Sequence, residues 1–273
     1  MRGSVCLLAG LLMCSVAGAA QEYASVSRSG DEVTLTAESW DPVLAIGRTL
    51  ADRIGIRVSV EDPKWAFPID SEDVSVADPA FVAEHPKAHY RVMKRHVVQV
   101  RFSVSRSGLP DDVPGLLHQV VEAANRVMPY AYRLDSNGDE YVLVPTRTRD
   151  SDGVLEDAPP MLDRRVTIPA GTRSIAEHAD IMAEQLSQLS GLHVSCCQSM
   201  ARPIPWGQEK VAFEADDKPA REVLKSLILL ERQTNAEATD RHSDYDHWSV
   251  RCDGTGVPWC FIEVEWAAYP PRQ

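Results

Sequence analysis

The most regular alternation of apolar and polar residues lies in the second half of the chain, from residue 165 to residue 194. Its first residues alternate in polarity, which predicts a short strand. Ser174 and Glu177 have the three-residue spacing of a capping box, so a helix is expected to begin there. Gly191 supplies the left-handed conformation that commonly ends a helix. Between these signals the apolar residues recur at helical spacing and predict a buried stripe of Ile175, Ala179, Met182, Leu186 and Leu189.

The same order of strand, helix, glycine and strand occurs upstream, between residues 33 and 60. Asp41 can cap a helix that has Pro42 at its first position. Gly55 ends this helix, and an alternating segment follows it. The apolar stripe of the helix consists of Val43, Ile46, Leu50 and Ile54. The pattern therefore predicts that one structural unit is present twice.

A second kind of unit, a strand followed by a helix and a hairpin, also occurs twice. In the first half the helix is predicted over residues 112–127 and the hairpin turn over 135–139. In the second half the helix is predicted over residues 217–233 and the turn over 253–258. We predict an α+β fold of two similar domains, each strand, helix, strand and then strand, helix, hairpin, with helices packed between small sheets.

Residues 1–20 have the composition of a secretory signal peptide. Arg2 precedes an apolar run, and small residues follow it, so cleavage is expected after Ala19 or Ala20. The run is too short to cross a bilayer. Cys14 makes a lipoprotein signal an alternative, but Met13 stands where that signal has Gly, Ala or Ser. We therefore expect an exported protein.

The charge of the chain narrows the choice of partners. The formal net charge is −12 at pH 7, without a basic stripe, which makes nucleic acids and anionic membranes poor partners. No later apolar run reaches membrane length, so no membrane insertion is expected. The cysteines that follow the signal segment are even in number, which favours disulfides in an oxidising compartment. They are Cys196, Cys197, Cys252 and Cys260.

The order of elements resembles the short N-terminal (STN) domain of secretins and of TonB-dependent transducers. In the first half the likeness is carried by VTLTAESWDPVLAIGRTLADRIGIRVSV. In the second half it is carried by RVTIPAG, LSGLHV, VAFEADDKPAREVLKSLILL and WSVRCDGTGVPWCFIEV, of which KPAREVL is most similar to the family. The resemblance implies a periplasmic location in a cell with an outer membrane, a role in protein contacts, and no catalytic residues.

The repeat defines the predicted domain boundaries. We predict a signal peptide over residues 1–20, an STN-like domain over 21–146, a linker over 147–162 and a second STN-like domain over 163–273. The linker is predicted because its composition is polar and contains Gly and Pro. The first domain departs from the family pattern by an inserted loop at 61–96, which several prolines interrupt. One helical turn is expected in this loop, from Pro79 to Glu84.

The sequence lacks the motifs of common enzymes. It contains no GxSxG elbow, no phosphate-binding glycine loop and no HExxH motif. A non-enzymatic protein without a cofactor is therefore expected. The alternative is a metal-binding or enzymatic protein that uses His85 with His89, His193 with Cys196 and Cys197, or His242 with Asp244, Asp246 and His247. Solvated loops and disulfides are the simpler explanation of these groups.

The predicted function is protein binding in the periplasm, with an envelope, secretion or transport protein as the partner. Small domains of this kind bind by strand addition at a sheet edge or by docking on a helix face. The candidate binding residues lie in the inserted loop, where a basic patch could steer an acidic partner. They are Trp65, Phe67, Tyr90, Arg91 and Arg95. A structural spacer in an envelope assembly is a further alternative.

The last hairpin allows one disulfide to be predicted from strand register. Alternation of its apolar residues places Cys252 opposite Cys260. This bond would leave Cys196 and Cys197 to each other, and a bond between adjacent residues distorts the peptide. In the proteins that this chain resembles, the strand ending at Cys196 lies beside the hairpin, so bridges from the adjacent cysteines to the hairpin stay open as an alternative. We favour the hairpin bond.

Overall fold

The computed structural model has an α+β architecture in which helices pack between several small sheets. This confirms the predicted fold class. The structure describes residues 23–65, 67–75, 79–84, 91–106, 108–138, 140–150, 152–196, 208–234, 246–253 and 259–266.

The described residues of the first half form eight strands and four helices. In chain order they are β1 (Ser25–Ser29), β2 (Glu32–Ser39), α1 (Pro42–Thr49) with a π-helical turn (Leu50–Ile54), β3 (Val58–Glu61), α2 (Phe67–Asp70), β4 (Ser71–Asp73), α3 (Pro79–Glu84), β5 (Arg91–Met93), β6 (His96–Ser103), α4 (Val113–Val127), β7 (Tyr132–Asn137) and β8 (Glu140–Pro145).

The second half follows a short pair of strands. Its elements are β9 (Arg147–Arg149), β10 (Leu155–Asp157), a 3-10 turn (Met161–Asp163), β11 (Arg165–Ser174), α5 (Ile175–Ser190), β12 (His193–Cys196), β13 (Lys210–Pro219), α6 (Ala220–Thr234), β14 (Asp246–Asp253) and β15 (Trp259–Trp266).

The ends of the helices follow the signals in the sequence. The Asp41 carboxylate accepts a hydrogen bond from the Leu44 N–H at 3.0 Å, which caps α1. Ser174 and Glu177 form the complete capping box at the start of α5. Gly191 ends α5 in the left-handed conformation, with φ of 68°. These local predictions are confirmed.

The two halves have the same strand topology. In the first half, the antiparallel sheet β1–β2–β6 lies outside the helices and β3–β8–β7 lies inside. In the second half, β11–β13 is the outer sheet and β12–β15–β14 is the inner one. In both halves the strand after the first helix pairs in parallel with a hairpin strand, β3 with β8 and β12 with β15. The predicted repeat in element order thus corresponds to a repeat in topology.

The two inner sheets join edge to edge into one six-stranded sheet, in the order β12–β15–β14–β3–β8–β7. We call the junction of β14 with β3 the seam. The strands are parallel there, with Val250 opposite Glu61, and the Asp62 N–H donates to the Val250 carbonyl at 2.8 Å. On β3, Val60 faces Gly47 of α1, whereas Ser59 faces α6. The helices of the two halves therefore cover opposite faces of a shared sheet.

The segment predicted as a linker, residues 147–162, is part of the packed protein. Its strands β9 and β10 pair with each other, and Leu162 is fully buried. Both halves contribute to one continuous hydrophobic core, which includes Leu162. The polar composition on which the linker prediction rests does not show that apolar residues at the end of the segment are buried.

The described parts of the inserted segment, which was predicted over residues 61–96, pack on the first half. Its predicted helical turn is α3, and β4 pairs antiparallel with β5. The Asp70 carboxylate accepts from the Arg149 guanidinium at 2.7 Å and from the Tyr130 hydroxyl at 2.6 Å. This buried ion pair connects the insertion to the segment between the two halves.

Candidate functional site

A cleft of about 290 Å³ lies where α6 crosses the β7 end of the shared sheet. Four adjacent strands, β14, β3, β8 and β7, each contribute a residue to its floor, and Ser59 and Asp135 both lie opposite Val142. The floor residues are Trp248, Ser59, Val142 and Asp135, and the wall from α6 includes Arg221, Lys225 and Leu229. Because both halves supply residues, the seam is needed to build the cleft.

One end of the cleft is closed by an ionic cluster. The Arg221 guanidinium lies between the carboxylates of Asp135, at 3.0 Å, and Asp163, at 2.7 Å. Arg133 binds the same two carboxylates, at 2.8 Å and 3.1 Å. Burial alone would raise the pKa of Asp135. Hydrogen bonds from Arg133 and Arg221 outweigh this effect, so the pKa of Asp135 lies below its usual range. This cluster holds α6 against β7.

The mouth of the cleft combines a neutralised ion pair with apolar surface. The Lys225 ammonium lies 2.6 Å from the Glu140 carboxylate, and both side chains are 43% exposed. Such a solvent-exposed pair contributes roughly 0–1 kcal/mol to stability, so it can be displaced at low cost. Leu229 is 43% exposed beside it. The cleft can therefore accept an apolar side chain between charges that already compensate each other.

The strand β7 borders the cleft and forms an edge of the shared sheet. The Tyr141 N–H donates to the Arg57 carbonyl at 3.1 Å, so the main chain of Tyr141 faces β3 and turns away from β7. Ser136 lies opposite Tyr141. In an antiparallel pair of strands, two opposite residues either exchange both main-chain hydrogen bonds or both direct their main-chain N–H and carbonyl groups away from the partner strand. The N–H and carbonyl of Ser136 therefore point away from β8, out of the sheet edge. Because this orientation alternates along a strand, the main-chain groups of Leu134 point outward as well.

Only part of this edge is covered within the described residues. The outward N–H and carbonyl of Tyr132 are bound by the Asn125 side chain of α4, at 2.7 Å and 3.0 Å. Across the described chain, no hydrogen bond is formed by the outward main-chain groups of Leu134 and Ser136. The segment 134–136 is thus an open edge next to the cleft, and open edges pair readily with another strand.

A buried carboxyl lies behind the cleft at the seam. Glu61 is 1% exposed and accepts hydrogen bonds from the N–H groups of Met161 and Leu162. Burial raises its pKa to about 7, against the opposing attraction of Arg221 and the two N–H groups. Glu61 therefore changes charge near neutral pH, next to an arginine that lines the cleft.

A second buried acidic group lies on the other side of the seam. Asp62 accepts from the Cys252 N–H at 3.2 Å. Burial, followed by the charge of Asp41, raises the pKa of Asp62 well above its usual range. The hydroxyl of Tyr132 is buried without a hydrogen-bond partner among the described residues. Burial raises the pKa of this hydroxyl, and the charges of Asp41 and Asp62 raise it further. The protonated form of Asp62 is favoured here.

The candidate binding residues of the inserted loop do not form a common surface. Trp65 is 3% exposed and packs edge to face against Trp40 and Tyr130, which corrects its placement among the binding residues. Arg91 is half-buried and donates to the main-chain carbonyl of Ser71, so it joins β5 to β4. Arg95 is exposed between β5 and β6. Tyr90 and the side chain of Phe67 lie outside what the structure describes.

The cysteine pair of the last hairpin is confirmed. Cys252 lies opposite Cys260 in the predicted register, and the two are joined by a disulfide. Cys196 is also disulfide-bonded. It lies on β12 beside β15, and Cys197 lies outside the described residues.

The described residues offer no metal site, since they contain no group of three or more His, Cys, Asp and Glu side chains that could hold an ion. The candidate ligands His85, His89, His242 and Asp244 lie outside the described ranges. His247 is buried and its Nε2 lies 4.0 Å from the Asp52 carboxylate. No helix in the described part of the chain is long and apolar enough to cross a membrane.

Comparison with known proteins gives no relative on which a function could be based. Neither the scan against protein families nor the search of curated proteins found a match to the chain. The geometry of the cleft and of the adjacent edge is therefore the basis for assigning a function.

The cleft residues were not identified from the sequence as a site. The sequence pattern predicts a helix at Arg221 and Lys225 and a turn at Asp135. One signal was available, because polar residues alternate along β7 on the face toward α6. Their meeting with α6 depends on the seam, which joins segments nearly two hundred residues apart and leaves no local pattern.

Proposed function

We propose that this protein is an exported, periplasmic protein-interaction module without enzymatic activity, which binds an envelope or secretion partner at the cleft beside β7. The observation that carries the proposal is the combination of a cleft lined by ion pairs and apolar side chains with an open strand edge. Both features offer contacts to an extended chain, namely a pocket for a side chain and main-chain groups for pairing.

Two further observations support export. The first twenty residues resemble a signal peptide, and Cys252 and Cys260 form a disulfide. Disulfides persist in oxidising compartments and are rare in the cytosol of most organisms. The topology of each half, with two helices between an outer and an inner sheet, agrees with what the STN resemblance implies.

The proposal also agrees with the chemistry of the cleft. Arg221 and Lys225 form ion pairs, and among the described residues that line the cleft no serine hydroxyl is hydrogen-bonded to a carboxylate or an imidazole. The pKa of Glu61 is suited to proton transfer, but this carboxyl is enclosed by main-chain N–H groups and is 1% exposed. A binding role therefore explains the arrangement better than a catalytic one.

Site-specific photocrosslinking tests the proposed function. A photoreactive amino acid at Leu229, in the cleft, is compared with the same replacement at Leu189 on α5. The two leucines are matched controls, because they are 43% and 48% exposed and both lie on helices. We expect a discrete adduct with an envelope protein from position 229 and not from position 189. Identical adducts from both positions, or none from 229, would reject binding at the cleft.

A further inference from the structure

The seam is an internal example of strand addition, and the repeat shows where the first half has the equivalent edge. Gly55 and Gly191 each end a helix. Three residues after each glycine, Val58 lies opposite Tyr141 and Val194 lies opposite Cys260 in a parallel pair with the hairpin. Aligning the two glycines aligns the two inner sheets strand by strand. The equivalent residues are Val58 and Val194, Tyr141 and Cys260, Ser136 and Cys252, and Leu134 and Val250.

At the seam, a single aspartate satisfies two outward groups of β14. The Asp62 N–H donates to the Val250 carbonyl at 2.8 Å, and the Asp62 carboxyl accepts from the Cys252 N–H at 3.2 Å. The equivalent groups of the first half are the Leu134 carbonyl and the Ser136 N–H. These are the groups of the open edge that lack a partner within the described residues.

We propose that the open edge of β7 binds an extended segment of a partner protein in parallel orientation, with an aspartate of that segment taking the position that Asp62 has at the seam. This inference rests on the proposed function and names the partner's chemistry at the same site. The residue before the aspartate then lies opposite Leu134, on the face away from the cleft, whereas the aspartate shares the face of Asp135, toward α6 and the cleft, because successive side chains of a strand alternate.

A second copy of the chain is a poorer occupant than a different protein. The strand equivalent to β3 is β12, so a second copy would present β12 to the open edge. The outward N–H and carbonyl of Val194 on β12 are already bound by the Ser187 hydroxyl, at 2.9 Å and 3.3 Å. Since a helix side chain closes this edge, head-to-tail pairing between copies loses its main-chain contacts there.

The probe for this inference is a blocked peptide with the sequence of residues 57–63, Arg-Val-Ser-Val-Glu-Asp-Pro. It is titrated into the intact protein, and the amide signals of residues 134–137 are followed by NMR. We expect shifts and slower hydrogen exchange at Ser136. Replacing the peptide's aspartate by alanine, or methylating its N–H, removes one hydrogen bond and should weaken binding by about tenfold. Equal binding of all three peptides, or no shift at the solubility limit, overturns the proposal.

Variants of the protein complete the test. Ser136→Pro removes the outward N–H at an edge position where proline is tolerated, and Ser136→Ala is the matched control that keeps it. We expect the proline variant to lose peptide binding and the alanine variant to retain it. If the proline variant does not fold, the methylated peptide still decides the question.

The outcomes separate this inference from the proposed function. Unchanged peptide binding by Ser136→Pro would overturn strand addition, whereas an adduct at Leu229 would still support protein binding at the cleft. Conversely, peptide binding without an adduct at Leu229 would support the edge and reject the cleft as the site of an envelope partner. If the wild type self-associates and Ser136→Pro abolishes this self-association, a second copy of the chain and not a different protein occupies the β7 edge, which would overturn this part of the proposal.

Discussion

Glu61 gives the stability of the protein an unusual dependence on pH. The pKa of this buried carboxyl is about 7 in the folded protein, compared with 4.5 as its ordinary value. The folded state thus holds the proton more tightly than the unfolded chain does. The contribution of Glu61 to the free energy of unfolding is fully present below about pH 4.5 and is lost as the pH rises to about 7. The difference between the two pKa values corresponds to about 3 kcal/mol.

The substitution Glu61→Gln isolates this contribution, because glutamine keeps an oxygen for the Met161 N–H but carries no charge. The free energy of unfolding is measured by urea denaturation between about pH 5 and about pH 8. We expect the wild type to lose about 3 kcal/mol more than the variant over this range. Subtracting the two curves also removes the contribution of His96. Burial lowers the pKa of this histidine, so its contribution to stability rises with pH, opposite to that of Glu61. Equal slopes for wild type and variant would refute the reasoning.

Asp62→Asn provides a second measurement of the same kind on the other face of the seam. Burial and the neighbouring Asp41 raise the pKa of Asp62, so its contribution to stability is also lost as the pH rises. We expect the pH slope of the double variant with Glu61→Gln to be smaller than that of either single variant. A double variant with the slope of Glu61→Gln alone would show that Asp62 does not titrate in this range.

Three further predictions concern the packing of the fold. Asp70→Asn leaves Arg149 buried without its charge partner and should cost about 3–5 kcal/mol in urea denaturation, whereas a loss below about 1 kcal/mol would show that the pair is solvated. Gly47→Ala places a Cβ in steric conflict with the Val60 side chain and should lower the free energy of unfolding by about 1–3 kcal/mol, although alanine favours helix. Cys260→Ser opens the hairpin disulfide and should cost about 2–3 kcal/mol, and an unchanged midpoint would show that the bond is dispensable.

The local elements could be predicted from the sequence because their signals are short-range. Asp41, Ser174 and Gly191 mark helix ends through contacts within a few residues, and all three act as predicted. The hairpin register of Cys252 and Cys260 followed from alternation alone. The repeated order of elements predicted the fold class, since the strands of both halves pair in the same order, although Leu189 of the predicted α5 stripe is exposed.

The features that depend on distant segments could not be predicted. The position of Trp65 in an insertion predicts a binding residue, but its ring is buried by Trp40 and Tyr130. The polar neighbours of Leu162 predict a linker, yet its side chain is fully buried. The candidate site is formed by β7 and α6 only because the seam joins the halves, and no periodicity records that pairing.

The position of β3 in the middle of the shared sheet has a consequence for the order of folding. Both neighbours of β3 are parallel strands, and Ser59 receives its hydrogen bond from Trp248, which is 189 residues away. Closing so long a loop has a large entropic cost before the pairing is gained, which slows folding. Until the last hairpin has folded, the β14 side of β3 is an unpaired edge that a chaperone or another unfolded chain can reach.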